Sequence, residues 1–430
     1  MKLVVRGGRV VDPSQDLDAP LEILIEDGAV SQVAEKVKGI RGAEIFDADG
    51  LVVTPGWIDM HVHLREPGEE YKETVRTGTL AAAAGGFTAI ACMPNTRPVI
   101  DNRSVAEHVA SEARKNPFAR VYPIGAVSKG QKGAELAEIG DMVTAGVVAV
   151  SDDGLPVHNA ELMRRALLYT QHFRIPVIQH AQDLDLSRGG VMHEGEWSTR
   201  LGLPGIPGSA EDVMVARDLI LTEDTGGQYH VAHMSTGRSL DMVRRAKQEG
   251  LPVTCEVTPH HLLMNDGAVA ATGFSTSTKM NPPLRAESDR EALINGLADG
   301  SIDVIASDHA PHHRDEKDLE FSLAPFGIIG LETNMSLCLD RLVRPGLITL
   351  SRLVELFSTA PARILKLPGG SLREGTPADL TILSLDRRVT VRSSRFRSKA
   401  ANSPFEGWKL RGRPVATILG GRLLQDLPRA

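Results

Sequence analysis

The stretch Asp59-Met60-His61-Val62-His63-Leu64-Arg65-Glu66-Pro67 could do chemistry, and an apolar run, Leu51–Ile58, leads into it. Side chains two apart on a strand share a face, so His61 and His63 can aim both imidazoles at one point. Neutral imidazole is the commonest metal-ligating side chain. Further residues of ligating type stand where other apolar runs end. They are Pro94-Asn95 after Thr88–Met93, Asp152-Asp153 after Val147–Ser151, His180 after Pro176–Gln179, and His233 after Tyr229–Ala232. Asp308 follows Ile302–Ser307 and is itself followed by His309 and His312. Four histidines (His61, His63, His180, His233) and two carboxylates on separate strands could form one metal cluster. Nitrogen and oxygen donors without thiolates suit zinc, with manganese or cobalt as substitutes. The set is too large for one tetrahedral ion and fits a two-metal site. Alternation alone does not separate Asp152 from Asp153.

These residues need a scaffold that brings several strand ends to one rim. From Leu51 onward, apolar runs alternate with helix-like stretches such as Glu73–Ala84, Ser104–Lys115, Ala160–Phe173, Ala210–Thr222 and Ser239–Glu249. The remaining runs are Val121–Val127 and Pro252–Val257. Strands alternating with helices mean βαβ units and a parallel sheet. About eight such units predict a (β/α)8 barrel, in which catalytic residues sit at the C-terminal strand ends. Residues 1–50 read instead as short strands with turns, with Asp27-Gly28 marking a hairpin between Leu21–Glu26 and Ala29–Val33. After the helical stretch Ser351–Leu365 and Pro368-Gly369-Gly370, Gly375–Leu385 and Val415–Leu424 return to strands. The expected organisation is a barrel over 51–368 and a small β-domain formed from both chain ends, 1–50 and 369–430.

Composition narrows the function classes. With 42% hydrophobic and 24% charged residues, the chain reads as an ordinary soluble globular protein. A net charge of −7 argues against nucleic-acid binding and gives no reason to expect an anionic membrane as partner. No stretch reads as a bilayer span or a signal peptide. Cys92, Cys255 and Cys338 are few and far apart, which predicts core residues in a reducing compartment, so the expected location is cytoplasmic. The other histidines receive humbler readings. His108 and His172 lie in helical stretches and read as surface residues, and His193 receives no role. His230 enters the run Tyr229–Ala232 at the end away from the rim. His260 and His261 follow the run Pro252–Val257 and read as supports rather than ligands.

The stretch Asp59–Arg65, with six candidate ligands on these strands, resembles the amidohydrolase superfamily, and more closely the bacterial type I branch of the dihydroorotase family. Two segments resemble that family's signatures: Asp59–Arg65 itself, and Ala306-Ser307-Asp308-His309-Ala310-Pro311-His312 with Lys317 beyond. Gly375-Thr376-Pro377-Ala378-Asp379-Leu380 resembles the superfamily's return to the β-domain. The resemblance implies zinc-dependent, reversible cyclisation of N-carbamoyl-L-aspartate to (S)-dihydroorotate plus water in pyrimidine synthesis, with one to two ions per chain and two expected. It implies that His61, His63 and Asp308 hold one ion and His180 and His233 the other. Asp153, rather than Asp152, matches the bridging carboxylate, and Asp308 also serves as the catalytic proton carrier. His63, Arg65, Asn95, Asn281, His312, Phe326 and Gly327 match substrate contacts, with Arg65, Asn95 and His312 gripping a carboxylate. It suggests as partners a second copy of the chain and aspartate transcarbamoylase.

Two rivals remain. Hydantoinases and allantoinases use a carboxylated lysine on strand 4, but Val147–Gly154 contains none. An inactive structural partner of aspartate transcarbamoylase would be free to lose ligands, and this chain keeps every candidate.

Overall fold

The computed structural model describes residues 2–424 and 427–428. Met1, Gln425, Asp426, Arg429 and Ala430, assigned above to the small β-domain, lie outside the described residues. Strands β1 (Trp57–Val62), β2 (Phe87–Cys92) and β3 (Arg120–Pro123) form one parallel sheet. A second parallel sheet contains β4 (Val150–Ser151), β5 (Val177–Gln179), β6 (Tyr229–Val231), β7 (Val253–Val257) and β8 (Val304–Ile305). Parallel bridges Gly125–Val150 and Val62–His309 connect the two sheets at both edges. Every strand is shorter than or shifted from its apolar run, because the ends of the runs pass into the loops that carry the polar residues.

Helices return the chain between strands, and local sequence sets their ends. Thr74 caps helix Val75–Gly85 in a capping box with Thr77, and Gly86 ends it in the left-handed region. Asn102, Asn159 and Thr236 cap Arg103–Lys115, Ala160–Thr170 and Gly237–Gln248 with their side-chain oxygens.

Strand alternation divides the core in two. Ile58, Met60, Ala89, Ala91, Ile178, Ala232, Val304 and Ala306 pack together in one cluster drawn from both sheets. Phe87, Ile90, Cys92, Val177, Val231, Val257 and Ile305 pack against helical residues such as Leu162, Val215, Leu240 and Leu293. Alanine is the commonest residue in the first cluster, which draws on strands of both sheets.

The run Leu51–Ile58, read above as one strand, breaks at Gly56. Val52–Pro55 leaves the parallel sheets and pairs with Leu380–Leu383 and with Arg9-Val10. It joins a six-stranded sheet that contains segments from both chain ends. A four-stranded sheet (Lys2–Arg6, Glu22–Glu26, Ala29–Ala34, Glu44–Asp47) shares a core with it through Leu3, Ile23, Ile25, Val53, Leu380 and Ile418. The Asp27-Gly28 hairpin is present, with Glu22–Glu26 antiparallel to Ala29–Ala34.

Candidate active site and metal centre

The β1–β2 ladder shifts register between Asp59 and Val62. Met60 belongs to the inner cluster, whereas Val62 and Leu64 belong to the outer one. The irregularity therefore re-aims the end of β1, and both imidazoles face inward. Asp59 fixes this turn by accepting from the amides of His61 and of Ser307. One buried carboxylate thus ties the end of β1 to the segment that carries Asp308. Burial pushes the Asp59 pKa up to about 7.

Six side chains converge there. His63 Nε2 lies 3.0 Å from Asp308 Oδ1 and 3.4 Å from Asp153 Oδ2. His61 Nε2 lies 3.6 Å from Asp308 Oδ1 and 3.5 Å from Asp153 Oδ1. His180 Nδ1 and His233 Nε2 stand 3.5 and 3.4 Å from that same Asp153 oxygen. Two groups have ligand atoms within 4.8 Å of one another: His61, His63 and Asp308, and His61, Asp153 and His233. Burial opposes charge at His61 and at Asp153, but the neighbouring charges outweigh it at both. The Asp153 and Glu256 carboxylates hold His61 well above the usual imidazole range. The His61 charge, with the His180 and His233 imidazoles close by, holds Asp153 well below the usual carboxylate range.

The arrangement fits a cation. His61 Nε2 and Asp153 Oδ1 are buried without a hydrogen-bond partner although they face each other across the cluster. Unpaired buried polar atoms are costly, and coordination to a metal satisfies them. The donor set is nitrogen and oxygen alone, and the cysteines are buried free thiols outside both ligand groups.

Asp152 and Asp153 now separate. Asp152 accepts from the amides of Val127 and Ser128 and from the Ser128 hydroxyl, so its carboxylate is spent on the loop after β3. His230 Nδ1 pairs with Thr254, and His261 is held between Thr258 and the Pro282 carbonyl. Neither, nor His260, joins a ligand group.

Glu256, on β7, was missed by sequence reasoning. Its Oε1 lies 2.5 Å from His61 Nδ1 and accepts from the His233 amide, so it orients two of the candidate ligands. The signal was a lone carboxylate in the buried apolar run Pro252–Val257.

A cavity of about 200 Å³ opens on the cluster. His63, Arg65, Asn95, Asp153, His180, His233, Asn281, Asp308, His312, Phe326 and Gly327 all line it, so the structure brings every residue of the site expectation except His61 to its wall. His61 is fully buried and does not line the cavity. Asn95 Oδ1 meets His63 Nδ1 at 2.9 Å, and Arg65 Nε donates to the Pro311 carbonyl. Arg65, His233 and Asp308 all have positive φ, at 63°, 29° and 47°. Such backbone strain concentrates where side chains must be aimed.

The comparisons agree with this geometry. The structure is similar to an L-hydantoinase (dihydropyrimidinase) from Arthrobacter aurescens, with a TM-score of 0.86 and 26% identity, covering 98% of this chain and 95% of the other. Fold and site together define an enzyme of the cyclic amide hydrolase class. Residues 50–239 match a family described as Dihydro-orotase-like. A dihydroorotase of Anaeromyxobacter dehalogenans is 53% identical over 100% of this chain and 99% of its own. One of Acetivibrio thermocellus is 49% identical over 98% of each. The chain belongs to the dihydroorotase family.

Proposed function

We propose that the chain is a zinc-dependent dihydroorotase that interconverts N-carbamoyl-L-aspartate and (S)-dihydroorotate plus water in pyrimidine synthesis. The observation that carries this reading is one cavity joining buried metal-type ligands to Arg65, Asn95 and His312. In the same reading residues 51–368 form a closed (β/α)8 barrel, and 1–50 with 369–430 form a small β-domain. The two inter-sheet bridges and the shared inner core support closure.

His61, His63 and Asp308 would hold one ion, and His180 and His233 the other, with Asp153 between them. One to two zinc ions per chain are expected, with two as the complete set. When bound, such ions acidify water towards neutral pH and polarise an amide carbonyl. Asp308 takes a proton from the attacking water and delivers it to the ureido nitrogen as the ring C–N bond breaks. Cyclisation runs the same transfer backwards. The Arg65 guanidinium grips the ring carboxylate through two parallel hydrogen bonds. Asn95 and His312 complete that grip, and Asn281, Phe326 and Gly327 hold the ring. A homodimer and a complex with aspartate transcarbamoylase belong to the same reading.

Hydantoinase activity is the alternative that the fold allows. It is disfavoured by the strand segment Val147–Gly154, which lacks lysine, and by a cation set beside the ligands. The test is turnover of dihydroorotate, hydantoin and allantoin by the purified protein. Dihydroorotate alone should be consumed at a substantial rate, and preference for either uncharged ring would overturn the assignment.

A further inference from the structure

Phe326 and Gly327 line the cavity from the segment Phe321–Gly327, which is neither helix nor strand. Five of the six successive carbonyls from Ser322 to Gly327 nevertheless accept side-chain hydrogen bonds. The Lys279 ammonium donates to Ser322 O at 3.0 Å and Ala324 O at 2.7 Å. The Lys317 ammonium donates to Pro325 O at 2.8 Å and Gly327 O at 3.0 Å. His312 Nε2 donates to Phe326 O at 2.8 Å. Asn402, from the C-terminal segment, donates through Nδ2 to Ala310 O and Gly327 O, and its Oδ1 accepts from the His312 amide.

Lys279, Lys317 and Asn402 are all buried. Burying an ammonium is costly unless its donors are satisfied, and here the partners are loop carbonyls rather than carboxylates. Lys279 Nζ also sits 4.7 Å from the centre of the Phe326 ring, a cation–π distance. Gly327 permits the close approach. Its φ is +124°, and a Cβ there would lie 2.8 Å from the Ala310 Cβ and 3.2 Å from His312 Nε2.

We propose that Lys279, Lys317 and Asn402 are positioning residues, a clasp that sets the Phe326-Gly327 wall and the His312 imidazole for the substrate carboxylate. The proposal rests on the functional reading above and deepens it. Lys317 is the residue beyond His312 in the second signature, where the sequence attached no role to it. None of the three touches substrate in this account. The clasp acts through His312: with Phe326 O fixed, the hydrogen stays on Nε2, and it is this N–H that the substrate carboxylate would share.

The experiment compares Lys317→Met, Lys279→Met and Asn402→Ala with wild type in the metal-loaded enzyme. We expect KM for dihydroorotate to rise roughly tenfold, with kcat held within about twofold and metal content unchanged, as for loss of ground-state positioning. A second readout does not depend on turnover. The ¹⁵N shifts of the His312 imidazole should report one tautomer, hydrogen on Nε2, in wild type and a mixture in the variants. Should Lys317→Met fail to fold, Asn402→Ala carries both measurements. Unchanged KM with an unchanged tautomer, or a fall in kcat alone, would overturn the clasp. Wild type that ignores dihydroorotate would instead overturn the functional reading, and the imidazole shifts would still decide the clasp.

Discussion

The cavity has two halves built by different means. The ligand half (His61, His63, Asp153, His180, His233, Asp308) sits at or just past the ends of β1, β4, β5, β6 and β8. Its spacing follows from strand pairing, with Glu256 and Asp59 as buried braces. The clamp half (Arg65, Asn95, Asn281, His312, Phe326, Gly327) sits on loops and is held by long-range side-chain contacts, including some from Asn402 in the C-terminal segment. In the proposed function, strand geometry places the reactive centre, whereas loop contacts select what enters it. The two halves should therefore fail differently.

The largest effect belongs to the ligand half. Asp308→Asn keeps the size and one oxygen of the side chain but removes the basic carboxylate. It should lower kcat by about 10²–10⁴ in both directions of the reaction. Zinc should be measured on the same sample, because a variant that retains zinc and wild-type rates would remove Asp308 from proton transfer.

Arg65→Ala strikes the clamp half. Loss of one partner of a buried, charge-assisted pair should cost about 2–4 kcal/mol in transition-state binding, or about 30- to 700-fold in kcat/KM. Metal content should not change. A parallel loss of metal would erase the distinction between the halves, and normal turnover would remove Arg65 from carboxylate recognition.

The smallest effect lies behind the clamp and should touch stability alone. Glu332 accepts from the amides of Arg397 and Ser398, and so anchors the segment that leads to Asn402. Burial, reinforced by Glu73, raises its pKa from 4.5 to about 8. The folded state therefore binds this proton more tightly than the unfolded state. That contribution is complete below about pH 4.5 and is lost as pH rises through about 8. Glu332→Gln keeps the acceptor and removes the titration. Its Tm advantage over wild type should widen from pH 5 to pH 8 and then level off. A gap independent of pH would contradict the assigned ionisation.

The same division explains what the sequence made legible. His61 and His63 were readable because strand alternation is a local rule, and each other ligand could be found at the end of an apolar run. Asp152 and Asp153 were not separable on that basis. The choice depends on Ser128, in a loop more than twenty residues away, which occupies the Asp152 carboxylate. The break at Gly56 was hidden because Val52–Pro55 is as apolar as a buried parallel strand, and its partners lie at both chain ends. The roles of Lys279 and Lys317 were invisible for the same reason. A lysine near a loop reads as solvated until the fold shows which carbonyls surround it. Arg65, Asn281, His312, Phe326 and Gly327 entered only through family resemblance, since no local rule aims a loop side chain.

The central claim is that the buried histidine and aspartate cluster holds the ions on which dihydroorotate turnover depends. The most direct test measures metal per chain by elemental analysis alongside turnover, before chelation, after chelation and after zinc is restored. One to two zinc ions per chain are expected in the active enzyme, with loss of activity on loss of metal and recovery on adding zinc. A metal-free preparation with full activity would contradict it.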